Sequence, residues 1–237
     1  MASISHLKRT SMPTSWPVKK KNITFIGKPN PGSHKRKYVI SVLILLREKI
    51  GYAATSKEAK QIIYNEEILL NGKRVTDIKT PCGIFDVFEI KATKEKYIIL
   101  FDTVGKIKLV PTKDDFIYLK ITSKKTLPGN KFQLNFMNGY NLLIDKKTFI
   151  GVKVEDTVVF DYTKKKVVSI INLKVGNYVY LFDGKFKGTF GLLKKLIPNN
   201  GISKDNVTLE IDGKENTTAK DFCYVIGSKK EDLKRFN

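Results

Sequence analysis

Residues 55–75 read TSKEAKQIIYNEEILLNGKRV, and their punctuation decides how the N-terminal part of the chain folds. Thr55 and Glu58 stand three apart, the spacing at which a hydroxyl and a carboxylate cap each other's orphan backbone donors at a helix start. Ala59, Ile62 and Ile63 follow at helical spacing, while Lys57 and Lys60 fall three apart on the opposite face. Asn65 ends that helix, and Ile68-Leu69-Leu70 reads as a short strand. Asn71-Gly72 is the strongest two-residue hairpin signal, because both residues tolerate positive φ, and it feeds a return strand through Arg74-Val75. Upstream, the apolar stretch Tyr38–Ile50 carries Arg47 and Lys49 near its end and stops at Gly51, the pattern of a buried helix with a glycine C-cap. Helix, helix and hairpin are therefore expected over residues 38–91.

Downstream the period changes from helical to alternating. Runs at 97–101, 107–110, 116–119, 131–136, 141–144 and 157–162 are each bounded by Gly, Asp, Asn or Pro, and no crossover helix intervenes, so a small antiparallel barrel or sandwich is expected over 92–172. Tyr178–Phe182, Phe190–Leu196, Val207–Ile211 and Phe222–Ile226, separated by Asp183-Gly184, the 198–201 turn and Asp212-Gly213, read as a barrel of SH3 size over 173–227. Residues 228–237 read as a charged, frayed C-terminal tail. The class is α+β, mostly β.

Charge narrows the function. The 237 residues carry 44 Lys+Arg against 23 Asp+Glu, a formal +21. Such an excess calls for a polyanionic partner, either nucleic acid or an anionic membrane surface. The longest apolar run, Val39–Leu46 broken by Ser41, is far short of the roughly 20 residues of a spanning helix. No secretory signal is legible, so a cytoplasmic protein without membrane contact is expected. Residues 1–37 hold nine Lys/Arg and no acid. With their Pro, Ser and Asn they read as an extended basic segment that folds only on its partner. Within it Trp16 precedes Lys19-Lys20-Lys21, and Pro29-Asn30-Pro31-Gly32 precedes His34-Lys35-Arg36-Lys37, clusters suited to tracking an RNA groove. Only five of the 44 basic residues are Arg, which favours point-charge contacts to phosphate over bidentate base reading.

Chemistry is hard to find. His6 and His34 are the two histidines, and neither has a legible nucleophile or carboxylate constellation. Cys82 and Cys223 lack metal-ligand spacing and read as ordinary buried thiols. The glycine-rich 184–191 stretch has neither a phosphate-loop nor a dinucleotide order. The pairs Asp114-Asp115 and Glu155-Asp156 read as solvated loop carboxylates. No enzyme, cofactor, metal or small-molecule substrate is expected.

Several unlinked motifs carry a family resemblance. His6-Leu7-Lys8-Arg9, Pro13, Trp16-Pro17, Lys28-Pro29-x-Pro31-Gly32 and Thr55–Ile63 leading to Leu69-Leu70-Asn71-Gly72-Lys73 occur in the order seen in small-subunit ribosomal proteins of the S4e family. Pro81-x-Gly83-x-x-Asp86-Val87, Val175-Gly176 through Gly184, Lys187-Gly188 and Gly191, and Phe222-x-Tyr224-Val225-Ile226-Gly227 continue it. The chain therefore resembles that family over nearly its whole length. Thr10-Ser11-Met12-Pro13 departs from its more Ala-rich pattern, and Lys often replaces Arg. The resemblance implies an S4-type αα-hairpin RNA-binding domain over 38–91, a central β domain over 92–172 and an SH3-like KOW barrel over 173–227. It also implies a non-catalytic role on the ribosome, with small-subunit ribosomal RNA and neighbouring ribosomal proteins as partners and no homo-oligomer. Candidate RNA-binding residues are Lys8, Arg9, Trp16, Lys19, Lys20, Lys21, His34, Lys35, Arg36, Lys37, Lys57, Lys60, Lys73, Arg74, Lys185 and Lys187, the helix-hairpin group being expected to lead. The alternatives are an RNA-delivery protein related to S4-domain RNA-modifying enzymes and a KOW-containing transcription factor.

Overall fold

A computed structural model describes residues 6–21, 23–65, 68–199, 205–228 and 230–236. It divides into two compact units, one of residues 1–100 and 106–113, the other of 101–105 and 114–237. The class is mostly β with few helices, as expected. No helix among the described residues is long and apolar enough to cross a membrane.

The first unit begins with β1 (Leu7–Lys8), which pairs antiparallel with β2 (Phe25–Ile26). Leu7, Met12, Trp16 and Ile26 between them are buried. Trp16 is 1% exposed and its indole Nε1 donates to the Val39 carbonyl at 2.7 Å. The Ser15 hydroxyl donates to the Lys37 carbonyl at 3.0 Å, and the Ser15 carbonyl accepts from the Ile107 N–H at 2.8 Å. The expected extended segment is thus packed into its unit. One buried tryptophan removes some 150–250 Å² from water, on the order of 4–6 kcal/mol gross, enough to anchor a stretch whose composition otherwise reads as disordered.

Next come β3 (Ile40–Ser41), paired with β6 (Pro81–Cys82), and α1 (Val42–Ile44), which runs straight into a π-helical turn, Leu45–Ile50. The expected helix therefore starts four residues late, because β3 claims its first turn. It ends at Gly51 with φ +84°, whose N–H reaches back to Leu46 at 2.9 Å. Then α2 (Ser56–Tyr64) opens on the expected capping box. The Glu58 N–H donates to Thr55 Oγ1 at 3.2 Å, and Glu58 Oε2 accepts from the Ala54 N–H at 2.8 Å. These bonds, that of Ala54 foremost, hold the Glu58 carboxyl below the usual range. Strands β4 (Ile68–Leu70) and β5 (Lys73–Arg74) form the hairpin about Asn71-Gly72, with φ of +50° and +73°. With β7 (Val87–Ile90), β8 (Glu95–Phe101) and β9 (Ile107–Pro111) they make a five-stranded sheet of order β5-β4-β7-β8-β9. The boundary expected at 91/92 therefore falls inside the β7–β8 hairpin, which turns tightly through Lys94 at φ +57°. Two of the six strands assigned from sequence to the next domain belong to this sheet.

A polar network lies inside this unit. Asn71 Nδ2 donates to Asp86 Oδ1 at 2.9 Å, and Asn71 Oδ1 accepts from the Val87 N–H at 2.7 Å. Asp86 Oδ2 accepts from the Gly83 N–H at 2.7 Å and lies 3.0 Å from His34 Nε2. Burial alone would lower the His34 pKa, but the Asp86 charge and hydrogen bond override it and raise it. Burial would raise the Asp86 carboxyl, yet His34, Asn71 and the Gly83 N–H together hold it below its usual value. The imidazole packs flat on Gly83, where a Cβ would sit 2.3 Å from the ring.

The second unit holds two five-stranded antiparallel sheets. The first contains β10 (Phe116–Leu127), β11 (Lys131–Phe136), β12 (Asn141–Ile144), β13 (Thr157–Asp161) and β14 (Lys166–Ile171), in the order β12-β11-β10-β13-β14, with α3 (Lys146–Gly151) following β12. Strand β14 was not legible, because its turn has no glycine; instead Asp161 Oδ1 accepts the N–H groups of Thr163 and Lys164, each at 2.9 Å. The second contains β15 (Tyr178–Leu181), β16 (Phe190–Ile197), β17 (Asn206–Ile211), β18 (Lys214–Ala219) and β19 (Cys223–Gly227), in the order β18-β17-β16-β15-β19. Alternate residues Val179, Leu181, Leu193, Val207, Leu209, Ile211 and Cys223 form its core. Half of the turn expected at 198–201 falls within the described residues; Asn200 and Gly201 lie outside them. The Tyr224 hydroxyl accepts from the Lys120 N–H at 3.0 Å, tying β19 to β10. The expected frayed C-terminus is a 3₁₀ helix, Lys230–Phe236, with Phe236 buried and Arg235 3.4 Å from Asp114. Burial pushes the Cys223 thiol up to about 12 and raises Cys82 as well, so both are unreactive at neutral pH.

Of the two carboxylate pairs expected to be solvated, Glu155-Asp156 is drawn inward, while Asp114 keeps a side chain 38% exposed. Asp156 is buried and accepts from the Lys153 and Leu173 N–H groups at 2.7 and 2.8 Å. Glu155 pairs with the buried Lys120 at 2.5 Å, and Asp115 accepts from the Tyr162 hydroxyl at 3.0 Å.

Candidate nucleic-acid interface

Ala59 and Ile63, one helical turn apart, are the buried positions of α2, so its opposite face looks outward. Lys57, Lys60 and Tyr64 occupy that outer face at the i, i+3, i+7 spacing, the lysines exposed and Tyr64 81% exposed. Sequence reading found the two lysines but missed the tyrosine. Its signal was available, since an aromatic four residues beyond Lys60 on the polar face has no core to fill. A flat ring between cations is a surface on which a base can stack.

The hairpin reaches the same helix. Arg74 Nη2 donates to the Tyr64 carbonyl at 3.2 Å, where the negative end of the helix dipole favours a cation. Lys73 and Arg74 are both exposed, on the strand that follows the Asn71-Gly72 turn. Helix and hairpin thus present Lys57, Lys60, Tyr64 and Arg74 from adjoining elements, with Lys73 next in the chain.

Three of the other candidates are turned inward. Arg9 is 1% exposed, its Nε donating to the Lys19 carbonyl at 2.5 Å and Nη2 lying 3.4 Å from Glu48. Trp16 is in the core, and the His34 imidazole belongs to the Asp86 network. Their side chains hold the N-terminal segment in place, which is why they stand out in sequence. Lys8, Lys19, Lys20, Lys21, Lys35, Arg36 and Lys37 remain exposed along the surface of that segment. In the second unit Lys185 is exposed, while Lys187 lies with its ammonium 3.4 Å from the Phe101 ring centroid, a cation–π contact. Gly188 beside it has φ +83°, and a Cβ there would stand 2.1 Å from the Asp102 carbonyl oxygen. The backbone approach that the glycine permits is therefore a packing contact within the unit.

Among the described residues no cluster of three or more His, Cys, Asp or Glu stands ready to hold a metal. The surface is one of lysines and exposed rings, which can neutralise phosphates and stack bases.

Comparison with known proteins bears on the partner. A family model described as ribosomal family S4e matches residues 93–167, and one described as the RS4NT (NUC023) domain matches residues 1–37. The small ribosomal subunit protein eS4 of Methanocaldococcus jannaschii is 33% identical over 236 residues, covering 97% of this chain and 96% of the relative. That of Archaeoglobus fulgidus is 32% identical over 228 residues, covering 96% and 95%. The crystal structure of the 30S ribosomal protein S4e from Thermoplasma acidophilum superposes with a TM-score of 0.68 at 26% identity, covering 81% of this chain and 97% of that one.

Proposed function

The chain belongs to the ribosomal family S4e, and from that premise we propose that it is a structural constituent of the small ribosomal subunit that binds ribosomal RNA and supports assembly and translation. The observation that carries this reading is a likeness spanning 97% of the chain to a protein of that subunit. The family is one of ribosomal structural proteins, and the chain is not an enzyme. Its place is the ribosome, with ribosomal RNA and adjoining ribosomal proteins as partners.

The finer reading assigns an S4-type αα-hairpin domain to the helical stretch ending at Gly51, α2 and the β4–β5 hairpin. It assigns a central β domain to the β10–β14 sheet, and a KOW barrel to the β15–β19 sheet with Gly188 at its tight connection. The helix-helix-hairpin order and the exposed Lys57–Lys60–Tyr64 stripe support the first assignment. The stripe and hairpin hold RNA at a helix junction, and the 184–188 loop supports them. Binding is dominated by phosphate contacts, since lysine supplies most of the charge.

Sucrose-gradient sedimentation of cell lysate tests the reading. One copy per small subunit is expected, surviving a moderate-salt wash. Sedimentation with RNA polymerase, or only at the top of the gradient, would overturn it.

A further inference from the structure

We propose that the cleft walled by residues 28–36 and Lys79 in the first unit binds a single nucleotide turned out of an RNA loop or bulge. The phosphates lie against Lys28, Arg36 and Lys79, and the sugar and base against Pro31, with the buried Pro29 and Val39 at the floor. The inference rests on the reading that the partner is RNA and names a site within it that the helix-hairpin surface does not include.

The cleft has a volume of about 420 Å³, within the range of small-ligand sites. Its charged lining is cationic, and the carboxylates nearest in sequence to its walls are hydrogen-bonded to the fold. Asp77 accepts from Asn30 Nδ2 at 2.8 Å and from the Lys79 N–H at 3.0 Å. Asp86 is held by His34, Asn71 and Gly83. Elsewhere cations lie beside acids, as in Lys96 with Glu89, Lys194 with Glu210 and Lys220 with Asp205. No ion pair among the described residues holds Arg36 or Lys79, and both are exposed.

The walls are also fixed in advance. The Asn30 N–H donates to the Lys79 carbonyl at 2.9 Å, joining the 28–36 segment to the 77–80 turn. Gly32 is pressed so closely on Pro81 that a Cβ would lie 2.6 Å from its ring. Two prolines restrict the backbone further, so little ordering cost remains when a ligand enters. A cleft of this volume is far too small for an A-form helix, whose phosphates are met across a broad groove, but it suits one unstacked nucleotide. The pattern explains why Lys28-Pro29-x-Pro31-Gly32 stands out as a motif although its prolines and glycine carry no charge.

Two RNA hairpins test this, identical in the stem, one with a single-nucleotide bulge prepared with each of the four bases and the other fully paired. The full-length protein is expected to bind at least one bulged hairpin roughly tenfold more tightly than the paired one. The variant Lys28→Glu/Arg36→Glu/Lys79→Glu should lose that preference, and its plot of log affinity against log salt should be shallower by about 2, from roughly 0.7 per single-strand phosphate released. Lys57→Glu/Lys60→Glu should weaken both hairpins and keep the preference. If the triple charge reversal fails to fold, Lys28→Gln/Arg36→Gln/Lys79→Gln replaces it, with the same loss of preference expected. Equal binding of bulged and paired RNA by the unaltered protein, or a preference retained by the folded triple variant, overturns the cleft proposal while leaving the ribosomal reading intact. Absence from small subunits on the gradient overturns the ribosomal reading itself.

Discussion

Replacing Gly188 with alanine separates two costs that glycine conceals. The residue lies at φ +83°, where an L side chain costs roughly 1–2 kcal/mol. Its new Cβ would stand 2.1 Å from the Asp102 carbonyl oxygen and 2.4 Å from its carbon, so backbone must move. The Gly188 N–H donates to the Leu181 carbonyl at 2.7 Å, which limits how far the loop can retreat. Overpacking of this kind adds about 1–3 kcal/mol, for a total of about 2–5 kcal/mol. Gly213 is the control, since it has φ +77° but nothing within 4 Å of its Cβ, and its alanine variant should cost only the conformational 1–2 kcal/mol or so. Urea midpoints followed by far-UV circular dichroism give both numbers on one scale. In thermal melts, at about 2–4 °C per kcal/mol for a chain of this size, Gly188→Ala should lose about 4–20 °C and Gly213→Ala about 2–8 °C. Equal losses at the two glycines would refute the argument that close backbone approach, beyond the dihedral, makes Gly188 irreplaceable.

The other expectations concern the first unit and the RNA surface. Trp16→Ala should destabilise by about 3–5 kcal/mol, and a chain starting at residue 38 should melt well below the full chain; unchanged melting would return the N-terminus to a free tail. The His34–Asp86 pair predicts stability limited on both sides. Because the His34 pKa is raised, its contribution is complete below its ordinary 6.5 and lost as pH rises through the folded value. Because the Asp86 pKa is lowered, its contribution is complete above its ordinary 3.8 and lost as pH falls through the folded value. Melting temperatures read through Trp16 fluorescence should show the alkaline decline in the parent and not in His34→Gln, and a decline common to both would assign it elsewhere. Reversing charge at Lys57, Lys60, Lys73 and Arg74 together should weaken ribosomal RNA binding far more than reversal at Lys125, Lys131, Lys147 and Lys166, with filter-binding equality between the sets pointing to diffuse attraction. For the unaltered protein the same assay should show affinity falling on the order of a thousandfold between about 50 and 200 mM salt if roughly six to ten phosphates are neutralised, and a flat titration would exclude phosphate-dominated binding.

Local signals were legible where the chain's own neighbours complete them. The Thr55–Glu58 box and the Asn71-Gly72 turn span four and two residues, and both form as their spacing requires. What could not be read depends on distant partners. His34 meets Asp86 across 52 residues, Trp16 meets Val39 across 23, and no periodicity records either. A histidine amid Lys35-Arg36-Lys37 and a tryptophan before Lys19-Lys20-Lys21 read as RNA contacts because composition cannot distinguish an aromatic offered to a base from one that nails the segment to its core. The cleft residues Lys28, Arg36 and Lys79 escaped as a group for the same reason, since 43 positions separate Arg36 from Lys79 and only the closed fold joins them. Strand β14 escaped because an aspartate carboxylate, rather than a glycine, makes its turn.

The positive charge is also displayed more outwardly than some of the negative charge. Asp86, Asp156 and Asp161 are all at most 5% exposed, and each accepts backbone N–H groups. Burial with fixed donors keeps a carboxylate's charge close to the dipoles that balance it, while exposed Lys57, Lys60, Lys73 and Lys79 face solvent. These carboxylates act as turn and junction fasteners, so among the 44 basic and 23 acidic residues those acids sit inside while the lysines lie where a polyanion meets the surface. An acidic side chain placed beside Arg36 would therefore do more harm to RNA binding than the loss of one unit of net charge elsewhere, because it would pair with an exposed cation of the cleft.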